Sequence, residues 1–112
     1  MAAPDDALVL TPNGIPVSLR PYLQEYTLES LDPSTAEHVL MARTLEYGGR
    51  QELRWLFRQY GRARIAEWVR QYGYINLTPV PFNFWRIVLE VEDYMRRDVT
   101  QSAWHNRLSV RP

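Results

Sequence analysis

RQELRWLFRQYGRARIAEWVRQYG, residues 50–73, carries the same apolar spacing twice. Leu53, Leu56, Phe57 and Tyr60 fall at i, i+3, i+4 and i+7, and Ile65, Trp68, Val69 and Tyr72 repeat that set twelve residues on. This spacing marks one face of a helix. Gly61 and Gly73 each follow a Tyr at the end of a set, where a helix wants a left-handed residue just past its last turn. The stretch therefore predicts two short helices, each closed by Tyr-Gly, and an all-α fold around them.

Upstream, Asp32-Pro33-Ser34 is a helix start. Asp32 can cap free backbone N–H groups, and Pro33 fits the first helical position. The helix would run through AEHVLMARTLEY and stop at Gly48-Gly49. Residues 20–31 predict a short helical turn with Tyr22, Leu23 and Tyr26 on one face. Before it, Asn13-Gly14 stands between Leu8–Leu10 and Ile15–Leu19, which is a hairpin signal. Pro12 and Pro16 hold any such strands to edges or short lengths. Residues 1–19 thus read as an N-terminal arm or hairpin, with 1–7 a frayed tail.

Downstream, Thr78-Pro79 restarts a helix. Phe84, Ile87, Val88 and Val91 make a third periodic set, with Phe82, Trp85 and Leu89 on adjacent faces. A helix so apolar all round is expected to be central and buried. A further helix is expected around Trp104 and Leu108, followed by a loose SVRP end. The predicted organisation is an arm over 1–19 and a single helical domain over 20–112, of four to five short helices. Its predicted core is Leu53, Leu56, Phe57, Tyr60, Ile65, Trp68, Val69, Phe84, Ile87 and Val88.

With 112 residues, 46% of them hydrophobic, the chain suits one domain with a real core. It has no Cys, and His38 and His105 are far apart, so neither a thiolate site nor a local zinc motif is expected. No P-loop, G-x-G-x-x-G or nucleophile elbow occurs. The carboxylate clusters Asp5/Asp6 and Glu90/Glu92/Asp93 read as solvated ends. The expectation is a protein without cofactor or metal and not an enzyme. The N-terminus lacks a basic region and a long apolar run, and no stretch reaches about 18 apolar residues, so a cytoplasmic location is expected.

Charge is zero overall and uneven locally. Residues 1–49 hold seven acids and two bases, and residues 50–112 hold eleven bases and six acids, so the halves carry −5 and +5. All thirteen bases are Arg. Codon bias accounts for that, and so does a need for forked donors to phosphate or carboxylate. Arg50, Arg54 and Arg58 recur every four residues and stack along one side of their helix. Arg62, Arg64 and Arg70 follow. This row reads either as a surface for phosphates or a partner's carboxylates, or as an ordinary solvated face or one that pairs with the acidic N-terminal half. Trp55 points roughly 150° from the centre of its helix's apolar face. It is either covered by another element, the N-terminal arm or the C-terminal segment, or left as an anchor for a partner. A common helix-turn-helix at Gly61 fits poorly, because Phe57 and Glu67 fall where that motif wants a small and an aliphatic residue. A short aromatic-rich chain with complementary halves could also pair as a homodimer.

The run Thr44-Leu45-Glu46-Tyr47-Gly48, then Leu53 to Gly61, then Ile65 and Val69, then Leu77-Thr78-Pro79 and Phe84-Trp85 resembles a small uncharacterised prokaryotic helical domain family. Members of that family are often partners of nucleotidyltransferase-type toxins of abortive-infection systems. The resemblance covers residues 20–91. It brings no catalytic residues. It implies an antitoxin-like role, binding a partner protein and, as the alternative, duplex DNA as a transcriptional regulator.

Overall fold

The computed structural model describes residues 8–96 and is all-α. Its helices are α1 Glu37–Tyr47, α2 Arg50–Tyr60, α3 Arg62–Trp68, α4 Tyr74–Asn76 and α5 Pro79–Val88. Two 3-10 helices, Val17–Tyr22 and Leu28–Ser30, precede α1, and a π-helical turn, Val69–Gly73, joins α3 to α4. The tail 1–7, the helix expected around Trp104 and Leu108, and the SVRP end lie outside the described residues. The chain divides into two compact units, Met1–Gly61 and Arg62–Pro112.

The first unit begins with a minimal hairpin. Among the described residues its β-structure is one antiparallel bridge, Leu10 to Pro16. Gly14 N–H donates to Thr11 O, Thr11 N–H to Ile15 O and Val17 N–H to Val9 O, each at 2.8 Å. Gly14 has φ +91°, the conformation that closes a three-residue loop behind a tight turn. After the bridge at Pro16 the chain enters the 3-10 helix Val17–Tyr22. Leu23 is buried there while Tyr22 and Tyr26 stay exposed, so the shared face expected for these three does not form. The start of α1 is delayed to Glu37. Asp32 Oδ1 instead accepts the Ser34 N–H and hydroxyl, both at 2.9 Å, and Asp32 O accepts the Ala36 N–H at 2.7 Å. Short polar side chains favour such local turns over a helical start. From α1 to α2 the chain passes Gly48-Gly49, and Glu52 Oε1 accepts the Gly49 N–H at 2.8 Å, satisfying one amide at the head of α2. Ile15, Leu19, Leu23, Leu28, Leu40, Met41 and Leu56 form the fully buried core.

The second unit departs from the sequence expectation twice. Gly61 does end α2, with φ +88°. Gly73 does not end a helix. It has φ −63° and ψ −42°, and the helix runs on through the π turn into α4. Its lack of a side chain serves packing: a Cβ there would lie 3.0 and 3.1 Å from Phe82 ring carbons and 3.2 Å from Val69 Cγ1. The second departure follows from the first. Phe82, Trp85 and Leu89 are the buried face of α5, and Phe84, Ile87 and Val88 are exposed. Both sets are apolar, so periodicity alone could not choose between them. The bare backbone at Gly73 chooses, because it admits the Phe82 ring. Tyr74 and Tyr94 then meet that ring edge-on, at 5.7 and 4.9 Å between centroids.

α5 closes with a pair of reversed hydrogen bonds. Val91 N–H donates to Arg86 O at 2.8 Å and Glu90 N–H to Ile87 O at 3.1 Å. This is the Schellman arrangement, which wants a left-handed residue at the position held by Glu90, φ 59°.

Phe82→Ala is expected to lose about 3–5 kcal/mol of unfolding free energy and Phe84→Ala under about 1 kcal/mol. The reverse ranking in denaturant titrations would put the wrong face of α5 inside. Glu90→Gly is expected to raise stability by about 0.5–1 kcal/mol, because it relieves the left-handed strain. A midpoint at or below the parent's would refute that account of the turn.

Candidate interaction surface

α2 buries a broad arc. Trp55 and Leu56 are inside, and Leu53, Phe57 and Tyr60 are half-buried. At about 100° per residue, the arc from Trp55 round to Leu53 centres roughly 180° from the Arg50/Arg54/Arg58 row. The three arginines are exposed along that outward side. Arg50 and Arg58 have no hydrogen bond or ion pair among the described residues.

Trp55 explains the width of the arc. It is only 7% exposed, and its Nε1–H donates to Gly14 O at 2.9 Å. Its ring meets Tyr60 edge-on at 6.3 Å, and the Tyr60 hydroxyl donates to Pro33 O at 2.6 Å. The N-terminal hairpin therefore covers the indole. Of the two readings open at this residue, the structure gives burial, and Trp55 is not on the surface that the arginine row presents. Asn13 holds the same hairpin from the other side, with Nδ2–H donating to Glu29 O at 2.6 Å and Leu31 O at 3.1 Å.

The remaining arginine candidates belong to the second unit. Arg62 Nη2 donates to Val88 O at 3.1 Å and lies 4.0 Å from Glu90 Oε2. It thus caps a carbonyl at the end of α5. Arg70 is bidentate to Glu67, at 3.2 and 2.8 Å. Arg64 is exposed on α3. So Arg62 and Arg70 are engaged within their own unit.

A second feature was not foreseen. Arg43 grips Glu25 with both terminal nitrogens, at 3.2 and 2.5 Å, and also donates to Tyr22 O at 2.7 Å. The Tyr22 and Tyr47 rings stack beside them, 5.0 Å apart and 9° from parallel. Together with Pro21 and Gln24 these residues line an open cleft of about 300 Å³. The hydrogen bonds from Arg43 hold the Glu25 carboxyl down to about 2. A faint signal was present in the sequence. Arg20 and Arg43 are the only bases before Arg50, and each pairs with a glutamate, Arg20 with Glu29 and Arg43 with Glu25.

A model of a family described as being of unknown function (DUF6922) matches residues 19–69, just under half of the chain. The match takes in the arginine row of α2 and the tyrosine cleft, and it leaves out α5. No curated protein and no solved structure matches. Among the described residues no helix is long and apolar enough to cross a membrane. No group of three or more His, Cys, Asp or Glu among them is placed to hold a metal ion.

Two carboxyls give the fold an acid response. Glu25, bound by Arg43, and Glu67, bound by Arg70 and then Gln71, are each lowered from 4.5 to about 2. A depressed carboxyl contributes stability that is complete above its unfolded value and lost as pH falls through the folded one. The unfolding midpoint should therefore be flat above about pH 5 and fall between about 4.5 and 2, by a small amount because both pairs are exposed. Glu25→Gln should flatten part of that fall, and an unchanged slope would refute it. Trp55→Phe, which removes the hydrogen bond to Gly14, is expected to cost about 1–2 kcal/mol in chemical denaturation. A cost near zero would mean that water satisfies the Gly14 carbonyl.

Proposed function

We propose that the protein is a non-enzymatic binding module, an antitoxin-like component of a toxin–antitoxin or phage-defence pair, which acts by holding a partner protein. The observation that supports this most is the row Arg50, Arg54 and Arg58, exposed along the side of α2 opposite its buried arc. Its ends are about 12 Å apart at 1.5 Å per residue. Forked guanidinium groups in a row of that length suit a partner presenting several carboxylates along one element. The sequence resemblance makes a nucleotidyltransferase-type toxin the partner to try first.

A duplex-binding regulator is the second reading, favoured by the same row. It is weaker because Arg62 and Arg70, which would have extended the row, are engaged with Val88 O and with Glu67. Tight duplex binding commonly neutralises about six to ten phosphates, and three arginines fall short of that.

The test uses the triple variant Arg50→Gln, Arg54→Gln, Arg58→Gln. Tagged parent protein from its native cells should retain a stoichiometric protein that the variant loses. The association should also be faster at low salt for the parent alone. Labelled duplex DNA should bind neither form tightly. Tight duplex binding by the parent, with a steep salt slope abolished in the variant, would overturn the reading in favour of the regulator.

A further inference from the structure

α5 has a second face that nothing above uses. Val80, Phe84, Ile87 and Val88 fall at i, i+4, i+7 and i+8, and are 80%, 54%, 65% and 41% exposed. Four large apolar side chains along one helix side make a surface that water disfavours, and such stripes mark contact sites. The stripe itself is uncharged. The one charged residue of α5, Arg86, is half-buried with its guanidinium carbon 5.8 Å from the Tyr94 ring centroid. A second copy of the same stripe would therefore meet no like charge on it.

Glu90 indicates the direction of the pairing. It breaks two local preferences at once. It sits in a left-handed conformation that Gly would hold without strain. It also places a carboxylate beside the negative, C-terminal end of its own helix dipole. Its side chain is 82% exposed, and Arg62 lies 4.0 Å away. In an antiparallel pair of α5 helices, the C-terminal end of one lies against the N-terminal end of the other. Glu90 then faces the positive end of a helix dipole, and the two dipoles oppose each other favourably.

We propose that α5 is a self-association face. Two copies of the chain pair α5 against α5, antiparallel, about a twofold axis close to Phe84, and each Glu90 lies at the N-terminus of the other copy's α5. The twofold puts Val80 of one copy opposite Val88 of the other and keeps the contact closed. This inference is independent of the function proposed above. One stripe on a ten-residue helix is small beside the roughly 1,200–2,000 Å² of a stable interface, so the dimer is weak, with a dissociation constant in the range of about 10 μM to 1 mM.

The chain has no Cys, which makes cross-linking clean. Phe84→Cys in the full chain should form a disulfide-linked dimer on mild oxidation. Val80→Cys alone should not, whereas Val80→Cys with Val88→Cys in one chain should. Sedimentation of the parent across that concentration range should show a monomer–dimer equilibrium. Ile87→Glu should weaken it at least tenfold while leaving the thermal midpoint of a dilute sample in place. Glu90→Gln should weaken it about two- to fivefold, the range expected of a helix-terminus charge. Any one of three results would overturn the proposal: a parent that stays monomeric throughout, as it would if another protein or another part of the chain covered the stripe; a dimer indifferent to Ile87→Glu; or ready cross-linking by Val80→Cys alone, which would mean parallel helices.

Discussion

The hydrogen bond from the Trp55 indole to the Gly14 carbonyl joins residues 41 apart, and the arrangement of the first unit depends on it. Trp55 is the largest side chain of α2, and it stands well away from the helix's Leu/Phe face. For α2 to bury both, something must cover the indole and accept its N–H, since a buried donor left unpaired costs about 1–3 kcal/mol. The hairpin supplies both requirements. Its Gly14 carbonyl accepts the indole N–H, and Asn13 fastens the same loop to Glu29 and Leu31. Once Trp55 is inside, the rotation of α2 about its axis is settled, and the Arg50, Arg54 and Arg58 row points outward as a consequence.

A glycine plays the corresponding part in the second unit. Gly73 leaves backbone where any side chain would crowd the Phe82 ring. That contact turns α5 so that Phe82, Trp85 and Leu89 face inward, and it leaves Val80, Phe84, Ile87 and Val88 outside. The outward arginine row and the outward apolar stripe are thus consequences of two packing decisions, made by one large residue and one absent side chain.

These two positions also mark where the sequence was and was not legible. Helix existence, the break at Gly61, the Thr78-Pro79 start and the inward set Ile65, Trp68 and Val69 follow from spacing and turn chemistry, which are local. The Asn13-Gly14 hairpin was legible for the same reason. Trp55 stayed ambiguous because its answer lies in a segment 41 residues away. Gly73 was misread because a glycine after Tyr looks the same whether it ends a helix or receives a ring. α5 was turned the wrong way because two apolar sets compete on it, and hydrophobic spacing carries no information about which one finds a partner. The tyrosine cleft was invisible for a further reason. It needs Tyr22 and Glu25 brought against Arg43 and Tyr47, and no local spacing links the first two to the last two.

Ion pairing separates the arginines that are engaged within their own unit from those that are not. Arg20 pairs with Glu29 and Arg43 with Glu25 inside the first unit, and Arg70 pairs with Glu67 inside the second. Exposed pairs of this kind add little stability; the buried leucines and aromatic rings carry most of it. What the pairs do is cancel charge locally. On α2 the row is spaced to a helix repeat, backed by a buried arc and free at Arg50 and Arg58 among the described residues. The row also lies inside the stretch matched by the family of unknown function, residues 19–69, whereas α5 lies outside it. A role carried by the arginine row can therefore be common to that family. One carried by the apolar stripe of α5 needs residues that the match does not contain, so the proposed partner recognition and the proposed pairing of copies would rest on different parts of this chain.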